Sequence, residues 1–211
     1  MKYLIINTAT TTSSVALLDD NKIISNIEEN NAKDLSSKIF FMIDKVLKDG
    51  LCIPQSLNKI FVVVGPGSFT GIRIGLTIAK TMAWALKIDL IPISSLELLA
   101  STKNIEKNQI FALIDARRES VYAGGYTSNL EEIMPDKYLK IEELKKQYPD
   151  FSNISFVSYD MFEKIATMRP NPDYIKIVKK HKNDRVGNCH KINPNYLKLT
   201  EAEEKRNNGN N

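Results

Sequence analysis

The residues best placed to do chemistry stand in one run, Gly65-Pro66-Gly67-Ser68-Phe69-Thr70-Gly71-Ile72-Arg73. An apolar stretch, Ile60–Val64, feeds this run, and a long helical pattern leaves it. Glycine admits backbone angles and close approaches that other residues do not. The unpaired N–H groups at the start of a helix favour an anion. Gly65, Gly67, Ser68, Thr70 and Gly71 are therefore the candidates for an anion- or nucleotide-proximal turn. The run matches neither common phosphate fingerprint. No Gly-Lys-Ser/Thr occurs in it, and Thr70 stands where the third glycine of G-x-G-x-x-G falls. The competing reading is a tight structural turn, the commoner use of such a sequence.

Other chemistry-bearing groups are sparse. His181, Cys189 and His190 lack a fourth soft ligand, and Cys52 is distant in sequence, so no metal site is expected. Asp115, Arg117 and Arg118 form a charge cluster that suits either a cleft or a structural ion pair. Ser68 sits where serine is an ordinary helix cap. No nucleophile–base pair is legible, and no catalytic residue is assigned.

The elements that must position these groups follow from periodicity. Tyr3–Thr8, Ser13–Leu18 and Ile23–Glu28 read as a three-stranded meander. A helix is expected from about Asp34 to Lys48, with Asp34 or Ser36 near its start. Ile60–Val64 reads as a central strand, followed by the glycine turn and a helix to about Lys87. A short strand, Leu90–Ile93, and a short helix, Ser95–Ser101, come next. The opening pattern then recurs: strands at Ile110–Asp115, Ser120–Tyr126 and Leu130–Pro135, a helix at Ile141–Gln147, a strand at Ile154–Ser158 and further helical pieces. Ile5-Ile6-Asn7 parallels Leu113-Ile114-Asp115, and Ser14-Val15-Ala16 parallels Ser120-Val121-Tyr122. Two halves, 1–104 and 105–211, each led by three strands, imply a duplicated α/β protein with mixed sheets.

With 43% hydrophobic and 26% charged residues, the 211-residue chain has a globular composition that excludes collagen-like and wholly disordered classes. No 18-residue apolar run exists, so no membrane span is expected, and Met1–Ile6 reaches Asn7 too soon for a signal-peptide core. Two cysteines without such a signal suggest a reduced, cytoplasmic setting. The net charge of +4 is uneven: residues 176–211 hold nine Lys/Arg against four Asp/Glu. Lys176, Lys179, Lys180, Lys182 and Arg185 read either as a solvated helix face, the commoner case, or as phosphate contacts.

Gly65–Leu76 (GPGSFTGIRIGL) resembles the signature of the bacterial TsaB (YeaZ) family. Ile5–Thr10, Ile114–Arg117 with Glu119–Tyr122, and Pro194–Lys198 with Ala202-Glu203 resemble further stretches of that family, so the likeness spans nearly the whole chain. The resemblance implies a duplicated actin-like, Hsp70-like fold of ribonuclease-H type. It also implies a partner subunit in tRNA threonylcarbamoyladenosine formation, supporting a TsaD-type actin-fold subunit that transfers threonylcarbamoyl to adenosine 37. A TsaE-type ATPase, and tRNA reached through the complex, would be further partners. Alone, the chain would form a homodimer. It would have no cofactor of its own; ATP or ADP and Mg would belong to the assembled complex. Two departures stand out: Asn7 where the family usually has Asp, and Leu35 with Phe41 where His and Pro are usual. In active relatives of the fold a carboxylate at the end of the first strand helps hold the metal–phosphate group, and Asn7 has no charge to offer. The alternative is an independently active ATP-dependent kinase or hydrolase. A metallopeptidase is disfavoured because no His-x-x-x-His pair exists.

The same resemblance places pairing on the first two helices. On a wheel of about 100° per residue, Arg73, Thr77, Lys80 and Thr81 share a polar arc that also holds Trp84, the single tryptophan. Gly71, Gly75, Ala79 and Ala83 form a row of small residues suited to close helix packing. Ile39, Phe40, Met42, Ile43, Val46 and Leu47 form the apolar face of the first helix, with Phe41 opposite. Phe41, Arg73, Lys80 and Trp84 are thus the candidate partner interface, aromatic and Arg residues being typical anchors. The plainer reading is that Phe41 and Trp84 fill gaps under neighbouring loops.

Overall fold

The computed structural model describes residues 1–30 and 35–198. Strands β1 (Lys2–Asn7), β2 (Thr12–Asp19) and β3 (Lys22–Asn30) come first, then α1 (Leu35–Asp49), β4 (Lys59–Gly65), α2 (Phe69–Leu86), β5 (Asp89–Ser94) and α3 (Ser95–Ala100). A second series follows: β6 (Gln109–Asp115), β7 (Ser120–Thr127), β8 (Glu132–Lys140), α4 (Ile141–Gln147), β9 (Ile154–Val157) and α5 (Tyr174–His181).

The first sheet has the order β3-β2-β1-β4-β5 and the second β8-β7-β6-β9. In each, the first two hairpins are antiparallel and the next pairing is parallel, β1 with β4 and β6 with β9. The second sheet thus repeats the first without its fifth strand. The repeat puts Asn7 and Asp115 at matching strand ends, each opening the turn to the next strand.

Alternation along β1 divides the first sheet into two faces. Leu4 and Ile6 join Val15, Leu17, Ile60 and Val62 under α1 and α2. Tyr3 and Ile5 face the other way, with Phe61, Val63 and α3, into a core shared with Ile110, Ala112 and Ile114 of the second sheet and with α5. The far face of the second sheet is covered by Ile141 and Leu144 of α4.

Several expectations need correction. The third strand of the second half runs Glu132–Lys140, not Leu130–Pro135. Leu130 has φ 64° and belongs to the turn. Pro135 is tolerated inside β8 because β8 is an edge strand, and the pairing slips there: Ala123 opposes Lys137 while Gly125 opposes Met134. Phe40 does not belong to the buried stripe of α1; Ile39, Met42, Ile43, Val46 and Leu47 do, and Phe40 is 60% exposed. It sits at the stripe's edge, turned away from the β2–β3 surface on which α1 packs. Asp34, a suggested cap for α1, lies outside the described residues. The last expected strand ends at Val157, and the loop around Pro54 holds a short 3-10 turn.

Candidate functional site

A cavity of about 580 Å³ opens between the halves, lined by the β1–β2 turn (Ala9, Thr10, Thr11), the glycine turn (Gly67, Ser68, Phe69) and the β6–β7 turn (Asp115, Ala116, Arg117), with Tyr122, Asp160 and Lys198. The two sheets bring their matching strand ends to this cleft, which is why local sequence signals 50 to 110 residues apart, on the order of one repeat, meet here.

The glycine turn is built against the β1–β2 turn. A Cβ on Gly67 would collide with Ala9 O, one on Gly71 with Thr8 O, and one on Gly75 with Thr8 Oγ1. Gly67 also has φ 148°, a conformation that side chains disfavour. Ser68 N donates to Ala9 O at 2.8 Å, Thr8 Oγ1 donates to Gly71 O at 2.6 Å, and Ser68 Oγ accepts from Gly71 N at 3.1 Å as the cap of α2. Gly71 and Gly75 of the small-residue row therefore serve close approach to this turn. Two of the turn's N–H groups are spent inside the protein, and the glycines are accounted for by backbone contact.

Asn7 is 2% exposed, and its amide is committed to the same turn. Nδ2 donates to Thr10 Oγ1 at 3.1 Å and to Thr12 O at 3.4 Å, while Oδ1 accepts from Ala9 N at 3.0 Å. A neutral amide tied up in this way does not fit the metal–phosphate role of a carboxylate at this strand end. Across the cleft, Asp115 N donates to Asp160 Oδ2 at 2.9 Å and Asp115 Oδ1 accepts from Arg117 N at 2.8 Å. Burial pushes the Asp160 carboxyl above its ordinary range, against the pull of the Asp115 N–H. Arg117, Arg118 and Glu119 are all left-handed, at φ 64°, 54° and 57°. Asp115 and Arg117 thus meet through the Arg117 backbone N–H, in a turn. Among the described residues, no group of three His, Cys, Asp or Glu side chains converges as metal ligands.

The other candidates lie on the helical layer behind the first sheet. Phe41 is 60% and Trp84 66% exposed. Arg73 and Lys80 have partners within the chain: Arg73 Nε donates to Tyr196 Oη at 2.8 Å, and Lys80 Nζ to His190 O at 3.1 Å. The Tyr196 ring stacks on Phe69 at 4.6 Å, and Asn195 N donates to Val64 O at 2.8 Å. The last described residues therefore run along α2. Sequence reasoning missed this strap and the exposed Phe40; the aromatic of Pro194-Asn195-Tyr196 was the available signal. It also missed Glu97, which is held by Lys180 and His181. The basic stretch is only partly a solvated face: Lys176 Nζ donates to Ser128 O at 3.1 Å, and Lys180 Nζ to Leu130 O at 2.6 Å. No helix among the described residues is long and apolar enough to cross a membrane.

The fold is the duplicated actin-like α/β type. Residues 22–204 match the family model described as TsaD: tRNA N6-adenosine threonylcarbamoyltransferase. A Pseudomonas aeruginosa YeaZ structure superposes with a TM-score of 0.79 over 93% of this chain and 99% of that one, at 21% identity. A Bacillus subtilis tRNA threonylcarbamoyladenosine biosynthesis protein TsaB is 32% identical, covering 97% of each chain. The Escherichia coli protein of that name is 32% identical over 60% of this chain and 55% of its own length. The chain belongs to the TsaB (YeaZ) family of tRNA threonylcarbamoyladenosine biosynthesis proteins.

Proposed function

We propose that this chain is a non-catalytic subunit that supports a TsaD-type actin-fold partner in threonylcarbamoyl transfer to adenosine 37 of tRNAs reading codons that begin with A. The observation that carries this reading is the exposure of Phe41 and Trp84 on two helices of one layer, α1 and α2, which share a core against the same sheet face. Large aromatics held out of the core in this way are typical anchors of protein interfaces. Phe40, equally exposed, adds to the surface. Arg73 lies on the same face of α2, braced by Tyr196, and Lys80 is braced by the His190 carbonyl.

The cleft supports the non-catalytic part of the reading. Asn7 is neutral and committed, and the glycine turn is packed on backbone, so ATP or ADP and Mg belong to the assembled complex rather than to this chain alone. A TsaE-type ATPase and tRNA join through that complex in the cytoplasm, and the isolated chain pairs with itself through the same helices. The test is association of Trp84→Ala and Phe41→Ala with a TsaD-type partner and with themselves, by pull-down and size exclusion. Each truncation is expected to cost about 2 kcal/mol or more of association with the fold intact. Unchanged self-association and partner capture would place the interface elsewhere.

A further inference from the structure

His181 has no part in the reading above, and its surroundings are specific. It ends α5, and each ring nitrogen meets a carboxylate: Nε2 lies 2.9 Å from Glu97 Oε1 and Nδ1 lies 2.7 Å from Asp184 Oδ2. Glu97 stands on α3 with its side chain 8% exposed, and the same oxygen receives Lys180 Nζ at 2.6 Å. The backbone carbonyl of Asp184 accepts from Lys59 Nζ at 2.7 Å, and that ammonium lies 3.6 Å from Asp89 Oδ2. The remaining titratable groups that act on Glu97's surroundings are Tyr126 and Asp136 of β7 and β8. Burial pushes both of their pKa values up.

A ring between two carboxylates satisfies both in one protonation state only. Imidazolium donates from both nitrogens. A neutral ring has one N–H and one lone pair, so one nitrogen must then face an ionised oxygen as acceptor to acceptor. The neutral tautomer that keeps Nε2–H on the buried Glu97 oxygen puts the mismatch at Asp184 Oδ2, so the turn after α5 is what loses its partner. Burial alone would lower the pKa of His181, but the hydrogen bonds to Glu97 and Asp184 outweigh it and hold the ring above its ordinary 6.5. Burial likewise pushes Glu97 up, and His181 and Lys180 together pull it below its ordinary range.

The elements joined by this ring matter to the whole molecule. α3 lies in the seam between the sheets, against β4, β5, β6 and β7. α5 covers the same seam, burying Tyr174, Ile177 and Val178 in the shared core and bonding Tyr174 Oη to Glu28 Oε1 at 2.8 Å. After Asp184 the chain turns to run along α2. We propose that His181 is a proton-operated latch that ties the turn after α5 to α3 at the seam between the halves, shut when the ring is charged and released at Asp184 when it is neutral.

The sign follows from linkage. The folded state prefers the charged ring, so the stabilisation is full below the unfolded value near 6.5 and is lost as pH rises through the higher folded value. The latch therefore opens as pH rises from 6.5 through the higher folded value, not in acid. The readout is local: Lys182 N donates to Val178 O at 2.7 Å and Asp184 N to His181 O at 3.0 Å, so these two amides report the turn.

The test is an NMR titration of the imidazole signals of the full chain, with amide hydrogen exchange from pH 6 to 9 corrected for its intrinsic pH dependence. The chain has two histidines, so His190→Gln assigns the signals. The His181 ring is expected to titrate above 6.5. Protection at Lys182 and Asp184 should fall across that range, by about tenfold for each pH unit by which the ring midpoint is raised. His181→Gln should flatten this dependence while leaving β1 and β4 protected. A ring midpoint at or below 6.5, or the same pH dependence in wild type and His181→Gln, would overturn the latch. If His181→Gln does not fold, the wild-type ring titration and the two amides decide the matter.

Discussion

Gly67→Ala separates a structural turn from a ligand cradle. The added Cβ meets the Ala9 carbonyl, a backbone atom that cannot swing aside as a side chain would. Ala9 is itself 1% exposed, and its carbonyl already accepts from Ser68 N, so relief means moving the β1–β2 turn away from α2. Overpacking of this sort costs about 1–3 kcal/mol. Forcing a side chain into φ 148° adds about 1–3 kcal/mol. The smaller entropy of the unfolded alanine chain returns about 0.4–1 kcal/mol. The net loss is about 1–6 kcal/mol, or roughly 2–22 °C in Tm for a chain of this size. Gly187→Ala is the internal control, because nothing lies within 4 Å of its added Cβ. Its stability should change by less than about 1 kcal/mol. The assay is thermal and urea unfolding of both variants beside the wild type, each with and without millimolar MgATP. The structural reading requires the Gly67→Ala loss to be the same with and without nucleotide. A Gly67→Ala protein as stable as wild type would refute the packing argument. A wild type whose Tm rises with MgATP while Gly67→Ala does not respond would restore the ligand cradle.

Three further outcomes are expected. Asn7→Asp loses the donation to Thr12 O and should lower stability by about 1–3 kcal/mol at neutral pH, with ATP turnover still at background; Mg-dependent turnover in this variant would reverse the view of the cleft. Asp136, half-buried and accepting from Tyr126 Oη at 2.6 Å and from Ser94 Oγ, has its carboxyl raised by desolvation. An acid raised on folding loses stability as pH climbs from the unfolded value towards the folded one; unfolding measured across that window should therefore show wild type declining relative to Asp136→Asn, and parallel curves would count against it. Reversing the charge of Lys179, Lys182 and Arg185, whose side chains are exposed, should lower the salt slope of tRNA binding by the complex without changing tRNA preference; an unchanged slope would remove these residues from the contact.

What the sequence by itself determined lies where the signal is local. The helix of α2 could be read from its period and from Ser68 as cap, and β1, β4 and β6 from unbroken apolar runs, because backbone periodicity and capping are properties of neighbouring residues. The repeat was legible as an order of elements, and the sheets carry it out in matching strand orders. The third strand of the second half was less legible. Pro135 looked like a strand terminus, and only the position of β8 at a sheet edge made it admissible within one. Tertiary structure alone decided what the chemistry-bearing side chains touch. The glycines of the signature could serve a phosphate or a backbone carbonyl equally well, until the β1–β2 turn took the space beside them. Arg73 and Tyr196 are separated by 123 positions, and Glu97 and His181 by 84. No local preference links such pairs. They meet because two sheets share one core and the chain's last described turns fold back across its seam, and burial then sets whether a carboxylate or an imidazole there keeps its charge.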